Sequence, residues 1–145
     1  VDARRLDRAG FTVDASPTIE RVRLDQAVAH EVAGQTEGEI PAARAATRCL
    51  GHVPQAPQVA LDVQLRGTAT VSAMGPQDLV LMVRHPDGTF SCDDDSGGNT
   101  DPRLVLDLPA GPHEVWVGTY SAFIASPFDL RVDFAPVLDT PTDDP

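Results

Sequence analysis

The 145-residue sequence predicts an all-β fold, an antiparallel sandwich with little helix. Three observations lead there. Apolar residues recur on alternate positions in short runs, and Gly and Pro punctuate those runs at even spacing. No long stretch carries the 3.6-residue period of an amphipathic helix. The length is about that of one domain and suffices for a single core. Aromatics are scarce (five Phe, Trp116 and Tyr120), so that core is expected to be Val, Leu and Ala.

Residues 1–10 have only Leu6 as a bulky interior residue and read as a frayed lead-in. Phe11-Thr12-Val13 begins an alternating pattern that Ser16-Pro17 interrupts. Ile19, Val22 and Leu24 lead through Asp25 to a second run, Ala27–Ala33. Gly34 to Pro41 reads as a loop. Ala42 to Leu50 favours one or two helical turns, which Gly51 and Pro54 stop. Val59, Leu61, Val63 and Leu65 then alternate with Ala60, Asp62 and Gln64, the pattern of a half-buried strand. Arg66-Gly67 turns the chain into Thr68–Met74, and Gly75-Pro76 turns it again. Leu79–Val83 is apolar on both faces, as a central strand should be. After Pro86-Asp87-Gly88, a strong turn signal, residues 87–101 read as one acidic loop at the end of a sheet. Leu104–Leu108, His113–Tyr120 and Asp129–Phe134 are the last strands. The sandwich domain is thus expected over residues 11–135, with a Pro- and Asp-rich tail or linker over 136–145.

The net charge of −11 is unevenly placed. Residues 1–76 carry nine acids and eight arginines, whereas residues 77–145 carry thirteen acids against Arg84, Arg103 and Arg131. An acidic half lacks the cations that neutralise phosphates, which argues against nucleic acid as a partner. It suits solubility, cation binding or a basic partner. No apolar run approaches the roughly 18 residues of a membrane span, so no membrane insertion is expected. No signal peptide is seen at the start; it has been removed or was never there. All eleven basic residues are Arg, read as a bias of a GC-rich genome.

Cys49 and Cys92, 43 positions apart, are the only cysteines. They could form a structural disulfide, a metal half-site or two unrelated buried thiols. No CxxC neighbour favours zinc or redox chemistry, and each lies beside a turn signal. A disulfide is the favoured reading; closing that loop stabilises by roughly 4 kcal/mol on a chain-entropy basis and implies an oxidising compartment, periplasmic or secreted.

Several motifs come in order along the chain: Cys49-x-Gly51, Asp78-Leu79-x-Leu81, Pro86-Asp87-Gly88, Cys92-x-Asp94-Asp95 and Gly111-x-x-x-Val115-Trp116-Val117-Gly118-Thr119-Tyr120. Together they resemble the bacterial pre-peptidase C-terminal domain, related to collagenase collagen-binding domains, and in particular its single-domain secreted form with a paired cysteine. The resemblance covers roughly residues 45–135, with residues 11–44 fitting loosely as first strands. It implies a jelly-roll-like sandwich and a non-catalytic module, often attached to secreted proteases, that aids secretion or substrate attachment and sometimes binds calcium. It carries over no catalytic residue. The sequence departs from the usual setting in holding no peptidase domain within these residues, so a role as protease appendage does not follow.

The acidic stretch offers a ligand set for a hard cation: Asp93, Asp94, Asp95, Asn99 and Asp101, with Asp78 at the start of a neighbouring strand. Calcium takes six to eight oxygens at 2.3–2.6 Å, which loops rich in Asp, Asn and carbonyl supply. The spacing is not that of an EF-hand, because Leu104 stands where the closing Glu belongs. The alternative is a solvated acidic turn whose carboxylates cap backbone amides.

Asp94-Asp95-Ser96-Gly97-Gly98 resembles the string around a chymotrypsin-like nucleophile, and Ala29-His30 faintly echoes its histidine motif. Asp94 replaces the first glycine, which would set a negative charge beside a developing oxyanion. His30 is followed by Glu31, and the chain is too short for two barrels. A serine hydrolase at Ser96 is therefore disfavoured, and no enzyme is expected. His30, His52, His85 and His113 show no ligand spacing and read as surface or strand-edge residues. Trp116 and Tyr120, four apart on one strand face, could form a sugar- or polymer-binding platform with Arg84 or Arg131 stacked on it; the plainer reading makes Trp116 a core residue. The leading expectation is a secreted accessory or binding module with a calcium-binding acidic loop. A carbohydrate-binding module stands second. The partner, a protein or a polysaccharide, and the oligomeric state stay open.

Overall fold

A computed structural model of the chain describes residues 19–95 and 101–137. Eleven strands run through them: β1 (Glu20–Leu24), β2 (Val28–Glu37), β3 (Ile40–Pro41), β4 (His52–Val53), β5 (Val59–Val63), β6 (Gly67–Met74), β7 (Leu79–Arg84), β8 (Phe90–Asp93), β9 (Arg103–Leu108), β10 (Gly111–Thr119) and β11 (Ala125–Pro136). They form the two packed sheets that the alternating runs predict. In the first sheet the order is β1-β5-β10-β7-β8, with the short β3–β4 pair attached to the end of β10 through His52 and Thr119. The second has the order β2-β11-β6-β9 and is antiparallel throughout. One pairing departs from the expected antiparallel pattern: β1 lies parallel to β5.

Alternation of side chains along each strand explains the core. Leu79, Leu81 and Val83 of β7, with Val115 and Val117 of β10, face Val71 of β6 and Leu130 and Val132 of β11, all buried. β7 is buried on its other face too, as its continuous apolar run predicts. There Val80 and Met82 join Ala42, Cys49 and Val53 in a second cluster, with Phe90, Cys92 and Trp116 packed against it. Residues 40–53 thus lie over the outside of the first sheet. Cys49 is bonded to Cys92 on β8, with the Cα atoms 5.6 Å apart, and the Arg48 guanidinium donates to the Phe90 carbonyl at 2.6 Å.

Two local expectations are corrected. Gly34 to Pro41 is not a loop: β2 continues to Glu37 and β3 follows at Ile40–Pro41. At Gly34 the missing side chain leaves room for the Phe128 ring on the paired strand β11, and the buried Thr36 hydroxyl donates to the Val117 carbonyl across the sandwich. Nor are residues 87–101 one loop, because Phe90–Asp93 form the edge strand β8, paired with β7. Of the one or two helical turns expected within Ala42–Leu50, a single 3-10 turn forms, Ala42–Arg44. β11 ends at Pro136, one residue inside the expected tail, and the Val137 amide donates to the Arg66 carbonyl. Residues 1–18 and 138–145, with the Phe11–Val13 run and the rest of the tail, lie outside the described residues.

Gly118 makes a prediction of its own. A Cβ there would overlap the His52 carbonyl and the Val53 Cα, all backbone atoms that hold β4 against β10. Gly118→Ala is expected to cost about 1–3 kcal/mol, as overpacking does. The measurement is the urea midpoint at unchanged slope; an unmoved midpoint would show that β4 does not close on β10.

Candidate functional site: an acidic rim and a buried histidine pair

Strand pairing decides which acidic residues meet. β8 runs back along β7 with Asp93 opposite Leu81, so Asp94 and Asp95 continue toward the end of the strand where β7 begins, and Asp78 immediately precedes β7. The Asp78 carbonyl accepts the Tyr120 amide at 2.8 Å, which ties the end of β10 to the same rim. Asp101 precedes β9, and the Arg103 amide donates to Asp93 at 2.8 Å. Carboxylate oxygens of Asp93, Asp94 and Asp95 lie within 4.8 Å of one another. Ligands on opposite sides of a calcium ion stand about 4.6–5.2 Å apart, twice the metal–oxygen distance. An Asp triad with the spacing to hold a metal ion is therefore present, half-buried at Asp93 and Asp94 and exposed at Asp95.

Electrostatics joins the remaining acids to the triad. The Asp78 carboxyl is held above its ordinary value of 3.8, first by partial burial and then by repulsion from Asp95 and Asp101. Asp94 is raised likewise, by partial burial first and then by Asp95, Asp93 and Asp78. Five of the six predicted ligands thus fall in one neighbourhood; Asn99 lies outside the described residues, as does Ser96. The His30 of the protease-like reading stands on β2, in the second sheet, whereas the residues leading to Ser96 end β8 in the first.

The aromatic pair is placed unequally. Trp116 is half-buried against the second cluster and faces Phe90, with ring centroids 6.3 Å apart and a 44° tilt. Tyr120 is 45% exposed. Arg84 does not stack there but pairs with Glu114 at 3.1 Å, and Arg131 belongs to the second sheet, paired with Glu31 and Asp133.

The histidines correct the sequence reading most sharply. His113, expected at a surface or strand edge, is fully buried. Its Nδ1 lies 3.1 Å from Nδ1 of His85, and the rings meet edge to face at 84°. Nε2 of His85 is 2.8 Å from the Ser91 hydroxyl, and Nε2 of His113 is 2.9 Å from the Pro109 carbonyl. Both rings are held below the ordinary value of 6.5, chiefly by burial. A signal was available: His113 occupies an inward position of β10, in step with Val115 and Val117.

No family model matches the chain, and no curated protein does. Among solved structures the chain is similar to the pre-peptidase C-terminal domain of collagenase from Bacillus anthracis, with a TM-score of 0.53 and 10% identity over 81% of this chain and 99% of that one. A mutant of a periplasmic inhibitor of g-type lysozyme from Escherichia coli aligns over the same shares at 11% identity, with a TM-score of only 0.41. The chain has the fold of the pre-peptidase C-terminal domain, the one its ordered motifs resemble.

Proposed function

We propose that this is a non-catalytic binding module of an oxidising, extracytoplasmic setting, whose acidic rim takes up calcium. The observation that carries the reading is the convergence of Asp78, Asp93, Asp94, Asp95 and Asp101 from three separate strand ends. Carboxylates that repel one another hold a proton more tightly, or a cation if one is offered. Oxygen-only ligands gathered from several strand ends favour calcium over magnesium, which demands tighter octahedral geometry. The Cys49–Cys92 bond supports the compartment.

Asp78 and Asp94 have raised values in the folded protein, so without metal their contribution to stability falls as pH rises from 3.8 through those values. Both are largely solvated, and screening keeps that loss small. Calcium reverses it, binding more tightly as the carboxylates ionise.

Thermal unfolding of the oxidised protein at pH 7.5, in EDTA and then in calcium, tests the reading. Calcium at about a hundred times its dissociation constant adds about 2.7 kcal/mol, a rise of roughly 10 °C for a domain of this size. Magnesium should give far less, and the Asp94→Asn/Asp95→Asn double variant should lose the response. An identical unfolding temperature in EDTA and millimolar calcium would reduce the rim to a solvated turn.

A further inference from the structure

The hydrogen-bond chain through Ser91, His85, His113 and Pro109 has only one consistent set of protons. A carbonyl oxygen only accepts, so His113 donates from Nε2–H to Pro109. A neutral His113 then has a bare Nδ1, and His85 must donate to it from its own Nδ1–H. This leaves Nε2 of His85 bare, and it accepts the Ser91 hydroxyl proton. Every polar atom in the chain is satisfied while both rings are neutral.

Protons added to this arrangement act unequally. A first proton can sit on Nε2 of His85, with Ser91 turning to accept. A second would place N–H groups on both Nδ1 atoms, facing each other across 3.1 Å, and a positive charge on each of two rings whose centroids are 5.2 Å apart, one of them fully buried. That state cannot form with the contact intact. The chain joins β10, through His113, to His85 just past the end of β7 and to Ser91 of β8.

We propose that this chain is a proton-operated latch: it clamps the edge strand β8 to β7 and β10 when both rings are neutral, and acidification releases it. The charged groups around it do not stabilise the doubly protonated pair enough to prevent this. Asp87 in the hairpin turn attracts both rings and opposes the burial, but it is committed to Thr89. Arg84 and Glu114, next to the pair on β7 and β10, are bonded to each other. On the flanking strands, Asp62 of β5 and Asp107 of β9 are exposed, and Asp93 of β8 receives the Arg103 amide. None of these five acts on either ring strongly enough to shift it. Both folded values lie below 6.5, so the latch is fully closed above that pH and weakens as pH falls beneath it. The proposal does not depend on the calcium reading.

The test is long-range proton–nitrogen NMR of the imidazoles in the metal-free, oxidised protein, with amide exchange of β8 measured at pH 7.5 and 5.5. His113 should appear as the Nε2–H tautomer and His85 as the Nδ1–H tautomer, with titrations coupled and displaced below 6.5. Exchange at Phe90–Asp93, corrected for its intrinsic pH dependence, should quicken about ten-fold per ring released. In His113→Leu, which removes the second ring, that acceleration should fall by about ten-fold. Should the variant not fold, the tautomers and exchange of the wild type decide the matter. Two Nε2–H rings titrating independently near 6.5, or β8 protection equal at both pH values, would overturn the latch.

Discussion

Removing the bond between Cys49 and Cys92 lowers the free energy of unfolding by about 4 kcal/mol, the loop-closure contribution for 43 residues of separation. The expected result is a large drop in the guanidinium midpoint for Cys49→Ala/Cys92→Ala relative to the oxidised protein, with the steeper slope of a less compact unfolded chain. The size follows from where the bond lies. It holds the 40–53 segment, whose pairing is otherwise two residues with two at β3–β4 and a single register at Thr119, over the outside of the first sheet. Ala42, Val53, Val80 and Met82 are buried only while that segment stays in place. Cleavage therefore gives the unfolded state entropy and leaves the cover to its own weak pairing. The second effect is separable, since exposure of Trp116 beneath the cover should red-shift its emission before global unfolding. A midpoint within 1 kcal/mol of the oxidised value would mean that the segment packs without its tether.

The other large effect is expected at Leu81. It is 1% exposed, on the inward face of β7 opposite Val117 of β10 and next to Asp93 of β8 in register. Leu81→Ala should cost about 2–5 kcal/mol, the transfer of the lost carbons plus the cavity left behind. The upper half of that range is favoured because strands on both sides and a sheet facing it limit collapse. Urea unfolding reads the cost, and the variant should retain its calcium response if it folds. A loss below 1 kcal/mol would show that neighbouring leucines close the gap.

The strands with a dry and a wet side were legible because burial imposes a period of two: β6 could be read to within one residue and β5 to within two, while β7, dry on both faces, was legible from its unbroken apolar run. What sequence could not reveal was pairing. Gly34 and Gly38 look like chain breakers, yet Gly34 lies inside a strand because a partner's aromatic ring fills its space. β8 was hidden because its four residues are all half-buried and therefore lack a two-sided pattern. The acidic rim was visible as a local run, and Asp78 was placed with it from a strand boundary 15 residues before Asp93. The histidine pair was not, since 28 residues separate two side chains whose meeting depends on β7 and β10 being neighbours. Local composition reports side chains that act together in sequence; sheet order brings together the others.

The place of β11 bears on how the chain comes into being. It follows every other described strand, yet it lies inside its sheet, paired along one side with β2 and along the other with β6. While residues 125–136 are still inside a ribosome or a translocation channel, β2 has no neighbour in its sheet. Half the sandwich must wait, apolar side exposed, for its keystone. Such a chain commits to its shape only once β11 has emerged. Closure of the Cys49–Cys92 loop needs only residues made earlier, so oxidation can precede the final folding step.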